Sequence, residues 1–145
     1  MMNTTQLERV MGSDPFGKQQ FRGVYAADQL PRKVTQYPSA YIANTDPASM
    51  PGTHWVAFYF INKEKSEFFD SYGNPPDFYG KNFEQFLKNN SSHWTFNHKT
   101  LQSLTSKVCG QFCLFYLLHR CRRISNSNIT SWFRKDRHWN DRIVA

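Results

Sequence analysis

The sequence predicts an α+β fold from three observations. His54 to Ile61 is a strand-length run that is apolar on both faces, as an interior strand requires. A polar turn, Asn62-Lys63-Glu64-Lys65, follows it, and Ser66 to Asp70 returns as a second strand, which makes a hairpin. Cys109 to about Arg120 is apolar almost all round and predicts a helix buried under the sheet. Strands beside buried helices give the α+β class, and 145 residues suffice for one compact domain, residues 1–145, with an ordinary core.

The remaining elements fit around that frame in order. Thr5-Gln6-Leu7-Glu8 has the form of a capping box and predicts a short helix that runs to Met11 and stops at Gly12. Gly17 to Pro38 mixes glycine, proline and polar residues with isolated aromatics and reads mainly as loop, with a turn or short helix beginning near Asp28. Tyr41 to Asn44 is a strand ended by the breaker-rich Thr45-Asp46-Pro47. After the hairpin, Ser71-Tyr72-Gly73-Asn74-Pro75-Pro76 forces a rigid exit loop. Phe78, Tyr79, Phe83, Phe86 and Leu87 supply one helical face, and Asn89 to Ser92 ends that helix. Trp94 to Asn97 reads as a short strand, and a last helix spans about Ile129 to Asp136 with a basic, fraying end.

Composition narrows the function classes. Thirteen Phe, seven Tyr and four Trp put large rings in the core. No apolar run approaches the length of a membrane-spanning helix, and Met1-Met2-Asn3-Thr4-Thr5 lacks the basic and apolar regions of a signal peptide. An intracellular location with no membrane partner is therefore expected. The three cysteines, Cys109, Cys113 and Cys121, are odd in number and close together, which suits free thiols rather than a disulfide framework. Eighteen Lys and Arg against eleven Asp and Glu give a net charge of +7. From Arg120 to Arg142 the basic residues are Arg120, Arg122, Arg123, Arg134, Lys135, Arg137 and Arg142, opposed by Asp136 and Asp141. That field suits DNA or another polyanion, with Trp132, Phe133 and Trp139 as rings on which bases stack, or else it is a solvated basic face over core aromatics.

Four residues could carry acyl-transfer chemistry. Cys109 opens the apolar helix, where unpaired N–H groups and the helix dipole favour thiolate over thiol, and Gly110 beside it leaves room for a substrate backbone. Its bland alternative is an inert core thiol. His54, at the lip of its strand, is placed to take and deliver a proton, or is merely a polar strand end. Asp70 closes the partner strand, where it accepts Nδ1–H of His54 and orients the ring, or caps the turn before Ser71. Gln102, seven residues before Cys109, offers an amide to a developing oxyanion alongside the Cys109 N–H, or is a surface residue. Zinc on Cys109, Cys113 and His119 or Cys121 is the chemical rival, without the short knuckle of common structural sites.

Three segments, Gly52-Thr53-His54-Trp55-Val56-Ala57, Phe68-Phe69-Asp70-Ser71-Tyr72-Gly73 and Gln102 through Cys113, together resemble the adenovirus-type cysteine endopeptidases, the adenain family. That family includes proteases of adenovirus-like transposons and lies within a wider group of ubiquitin-like-protein proteases. Phe21 to Tyr25 through Leu30-Pro31, and Ile42 to Thr45, are similar to its early loop and first core strand, so the resemblance covers roughly Gly17 to Arg120. It implies a papain-like α+β fold with a central mixed sheet on a buried helix that carries the nucleophile. It assigns His54 as the catalytic histidine, Asp70 as the acid that orients it, Gln102 as the oxyanion glutamine and Cys109 as the nucleophile. The implied activity is cleavage of viral or transposon-encoded precursor polypeptides at small, glycine-containing sites, in the host nucleus and virion. No cofactor is required, although stimulation by DNA follows from the family. The chain departs from adenain in being shorter after the central helix and in having no cysteine before Gln102 for a disulfide-linked activating peptide. Asp70 also stands where some members have Glu. The alternatives are a ubiquitin-like-protein deconjugating protease and a non-enzymatic basic module for nucleic acid or capsid.

Overall fold

A computed structural model describes all residues from Met1 to Ala145. The chain runs α1 (Thr4–Ser13), α2 (Gly17–Gln20), β1 (Phe21–Tyr25), β2 (Ser39–Asn44), β3 (Trp55–Phe60) and β4 (Lys65–Phe69). A 3-10 turn (Pro76–Tyr79), α3 (Asn82–Asn90), β5 (His93–Phe96), α4 (Cys109–Cys121), α5 (Asn126–Ser131) and α6 (Arg137–Val144) complete it. The five strands form one sheet in sequence order. β2, β3 and β4 pair antiparallel, while β1 on β2 and β5 on β4 are parallel. The mixed sheet and its helical layers make the fold α+β.

The alternation along β3 explains its doubly apolar sequence. Trp55, Ala57 and Tyr59 face a core shared with Leu7 and Met11 of α1 and with Phe112, Tyr116 and Leu117 of α4. Val56, Phe58 and Phe60 face a second core with Phe83, Phe86 and Leu87 of α3 and Val34 of the long connection. A sheet covered on both faces needs apolar residues at both parities. The hairpin turn is closed by Asn62, whose side-chain oxygen accepts from the N–H groups of Glu64 and Lys65. On the α4 side, buried Glu67 of β4 receives Arg120 Nε at 3.0 Å and Nη2 at 3.2 Å, together with the Tyr116 hydroxyl. The Arg120 guanidinium also lies 4.7 Å from the centre of the Tyr59 ring.

Several local expectations are corrected. The capping box at α1 is built two residues earlier, where Asn3 Oδ1 accepts from Gln6 N and Gln6 Oε1 accepts from Asn3 N. Asn is a good cap acceptor, and the earlier start adds the turn that leads into buried Leu7 and Met11. The stretch from Gly17, expected to be loop, contains α2 and β1. β1 has no alternation because all five residues are half-buried, and Gly23 at φ +129 marks a register irregularity against β2. Only pairing with β2 makes it a strand. Phe78 belongs to the 3-10 turn, and α3 starts after Gly80 and ends at Asn90. The single last helix is two helices, because Ser125 caps α5 and Asp136, expected inside the helix, caps α6.

Candidate active site

The antiparallel pairing of β3 and β4 brings His54 and Asp70 to one end of the sheet, and α4 aims its first residue at the same point. His54 immediately precedes β3, and Asp70 immediately follows β4. The His54 Nε2 lies 2.6 Å from Asp70 Oδ1. The Cys109 sulfur accepts the Trp55 backbone N–H at 3.5 Å and lines the same cleft as the imidazole. An imidazole has two nitrogens, so Nδ1 is left for the sulfur. The ring is therefore turned opposite to the expectation that Asp70 would take Nδ1. The reason is reach. Nδ1 is adjacent to the ring's attachment point, and the sulfur sits close to the backbone at Trp55. With Ala57 opposite Phe69, Asp70 lies diagonal to His54 and meets the outer nitrogen.

Asp70 is fully buried, yet its carboxylate is well supplied with donors. Besides the imidazole, Oδ1 accepts from Tyr72 N at 3.1 Å, and Oδ2 accepts from Asn74 N at 3.3 Å and from the Tyr79 hydroxyl. Asn97, at the end of β5, grips the Asp70 backbone with both ends of its amide: Nδ2 donates to the carbonyl and Oδ1 accepts the N–H. Tyr72 stacks on His54 with ring centres 4.7 Å apart and 20° between planes. The acid thus also has the turn-capping role at Tyr72 and Asn74. None of Tyr72, Tyr79 and Asn97 stands out in the sequence as a site residue: Tyr72 reads as part of the resembling segment after Asp70, Tyr79 as part of a helical face, and Asn97 as a strand end.

Burial alone would lower the His54 pKa, but the hydrogen bonds and charges of Asp70 and Cys109 overcome it and push it up to about 9. The ring is consequently charged at neutral pH. The sign of its linkage to stability follows. An unfolded histidine titrates near 6.5, so this stabilisation is complete below that value and is lost as pH rises through about 9. Urea midpoints measured across that window should fall with rising pH in the wild type and fall less in His54→Gln. A midpoint that rises through the window would contradict the charged ring.

A cleft of about 300 Å³ exposes this assembly, lined by Thr53, His54, Tyr72, Gln102, Ser106 and Cys109, among others. Cys109 is only 2% exposed at its floor. As the first residue of α4 it has a backbone N–H without an intrahelical partner. Gln102 is completely buried in the cleft wall. Its Oε1 accepts from Ser71 Oγ at 2.6 Å, and its Nε2 donates to the carbonyl and the hydroxyl of Ser106, each at 3.1 Å. The surface role is excluded, and the amide is turned towards Ser106. Gly110 does not serve a substrate backbone: a Cβ there would meet Met2 Cβ at 3.2 Å and Leu7 Cδ2 at 3.3 Å, so the glycine admits the N-terminal segment. The Trp55 indole holds that segment by donating to the Met2 carbonyl at 2.9 Å.

The other two thiols are packed in the core. Burial pushes Cys113 well above the ordinary thiol range and Cys121 up to about 11. Trp132 is 44% exposed but meets Phe115 and His119, Phe133 packs on Phe112 and Phe115, and Trp139 lies under the Arg134 guanidinium at 3.9 Å.

No family model and no curated protein matches the chain. Among solved structures, the ASFV pS273R protease is similar over 99% of this chain and 66% of that one, at 16% identity and a TM-score of 0.63. A selenomethionine form of that protease aligns over 72% of this chain and 43% of that one, with 25% identity and a TM-score of 0.45. The chain thus spans just under two thirds of the pS273R length. The first likeness is one of fold, and it is the adenain-like, papain-type arrangement of a mixed sheet against a buried helix.

Proposed function

We propose that the chain is a cysteine endopeptidase that opens peptide bonds through a thioester on Cys109. The observation that carries this reading is one cleft in which His54, bonded to a buried carboxylate, meets the cysteine at the head of α4. A charged imidazole beside a cysteine sulfur is the arrangement that activates a thiol nucleophile. The thiolate attacks the scissile carbonyl carbon, forming the C–S bond as the carbonyl π electrons move to oxygen. The oxyanion is received by the Cys109 N–H and by a Gln102 N–H transferred from Ser106. Collapse breaks the C–N bond, and His54 delivers its proton to the departing amine. Neutral His54 then takes a proton from water as the water attacks the thioester, which releases the acid product and restores the thiolate. Asp70 keeps the ring oriented throughout.

The substrates we assign are precursor polypeptides, viral or transposon-encoded, cut at small or glycine-containing sites. The sequence resemblance supports this class, and so does the modest volume of the cleft at Cys109, about 300 Å³, which suits small residues next to the scissile bond. A groove of about 490 Å³ shares Met1 and Gly52 with the cleft and continues past Val24, Asn44 and Met50, giving room for the flanking peptide. A second reading, association with DNA or another polyanion, is favoured by a cleft of about 410 Å³ whose charged lining is Lys99, Arg134, Lys135 and Arg137, with no acid among them.

Iodoacetamide labelling near neutral pH, read by mass spectrometry, tests the protease reading. Cys109 should be alkylated about tenfold or more faster than Cys113 and Cys121, whose burial holds them as thiols, and His54→Ala should abolish the difference. Three equally slow thiols in the wild type would remove Cys109 as nucleophile.

A further inference from the structure

We propose that Asn140 and Asp141, consecutive residues of α6, are positioning residues that hold Gln102 in the cleft wall by gripping the chain on both sides of it. The proposal rests on the peptidase reading above and extends it to residues outside the resembling segments. On one side, Asn140 Nδ2 donates to the Leu101 carbonyl at 3.1 Å. On the other, Asp141 Oδ2 accepts from the Ser103 hydroxyl at 2.7 Å, and Oδ1 accepts from the Ser103 N–H at 3.3 Å. Asn140 is itself completely buried and anchored, since its Oδ1 accepts the Arg134 N–H at 2.8 Å and its Nδ2 also donates to the Arg134 carbonyl at 2.7 Å.

The remaining support for Gln102 comes from the sheet end. The Ser71 carbonyl accepts the N–H groups of Leu101 at 2.8 Å and of Gln102 at 3.1 Å, while the Ser71 hydroxyl donates to the Gln102 side chain. Leu101 to Ser103 has no regular secondary structure of its own. Its place is set by these two clamps, one next to Asp70 and one from α6. An oxyanion donor acts only if it is held at hydrogen-bond distance from where charge develops, and a displacement of about 1 Å can cost on the order of 100-fold. Loosening the α6 clamp should therefore weaken steps that develop an oxyanion and spare steps that do not.

Two reactions of Cys109 separate these effects. Acetyl transfer from p-nitrophenyl acetate forms the C–S bond through a tetrahedral oxyanion and expels p-nitrophenolate. Alkylation by iodoacetamide displaces iodide with no oxyanion. Asp141→Ala should slow acetyl transfer about tenfold and leave alkylation within about twofold, with Asp141→Asn restoring most of the loss because it keeps an acceptor for Ser103. Ser103→Ala removes the hydroxyl from the other side of the contact and should act in the same direction if Asp141→Ala folds poorly. Combined with Gln102→Ala, either change should add nothing further, since the clamp acts through Gln102. Equal slowing of both reactions, an additive loss in the double variant, or acetyl transfer unchanged in both single variants overturns the proposal. Wild-type acetyl transfer no faster than in Cys109→Ala would instead refute the peptidase reading, and the clamp's role with it.

Discussion

Cys109→Ala should lower kcat for a cleaved precursor peptide by roughly 10⁵ to 10⁶, leaving only what binding and the oxyanion donors supply. The loss is large because no other group can take over. Cys113 lies one helical turn further into the core, and Cys121 is at the far end of α4. Both remain protonated through burial. Folding should be little affected, since the substitution removes one sulfur at the floor of an existing cleft. Cys113→Ala is the informative control: it should keep peptidase activity and cost about 1 kcal/mol of stability from the cavity it leaves. Peptide cleavage by Cys109→Ala at the wild-type rate would end the thioester mechanism, whatever the fold.

Glu67→Ala should destabilise the protein by about 3–5 kcal/mol, measured by urea denaturation. The carboxylate is buried, and it satisfies two guanidinium nitrogens and the Tyr116 hydroxyl at once. Removing it leaves a buried cation without its partner and a fully buried phenol without an acceptor. Replacing both members by apolar residues, as in Glu67→Leu with Arg120→Met, should recover much of the loss, because it removes the stranded charge as well. The Glu84–Lys88 pair, with an exposed lysine and a half-buried glutamate, provides the contrast at 2.7 Å, and Glu84→Ala should cost less than about 1 kcal/mol. A Glu67→Ala loss as small as that would show the network to be solvated.

What was legible in the sequence follows from how local each signal is. β3 and α4 stand out because burial on nearly all sides writes itself into consecutive residues, from Trp55 to Phe60 and, with Phe115 half-buried, from Phe112 to Leu117. His54 and Asp70 were found for a similar reason, as polar residues at the ends of strongly apolar strands. β1 was not legible, because a half-buried edge strand with an irregular register has no alternation to read. The boundary between α5 and α6 lies at Asp136, where a capping side chain and an internal helical residue look alike in sequence. The orientation of the His54 ring needed the hairpin register, and the fixing of Gln102 needed Ser71, Asn140 and Asp141, which are distant in the chain. Those contacts belong to tertiary structure and leave no periodic trace.

The Glu67–Arg120 pair also has a metrical consequence. β4 and α4 meet at two places: near one end at the cleft of Asp70-bonded His54 and Cys109, and further along through Glu67 and Arg120. On the helix these attachment points are separated by about 16 Å of axial rise, at ~1.5 Å per residue. A single residue inserted between them would advance one point by that step and swing it by about 100° around the axis, so both could not be met together. The depth of the sulfur relative to the imidazole is thus gauged from the opposite end of its helix. The interval from Cys109 to Arg120 is a fixed dimension of the site, and an insertion there should cost both attachments.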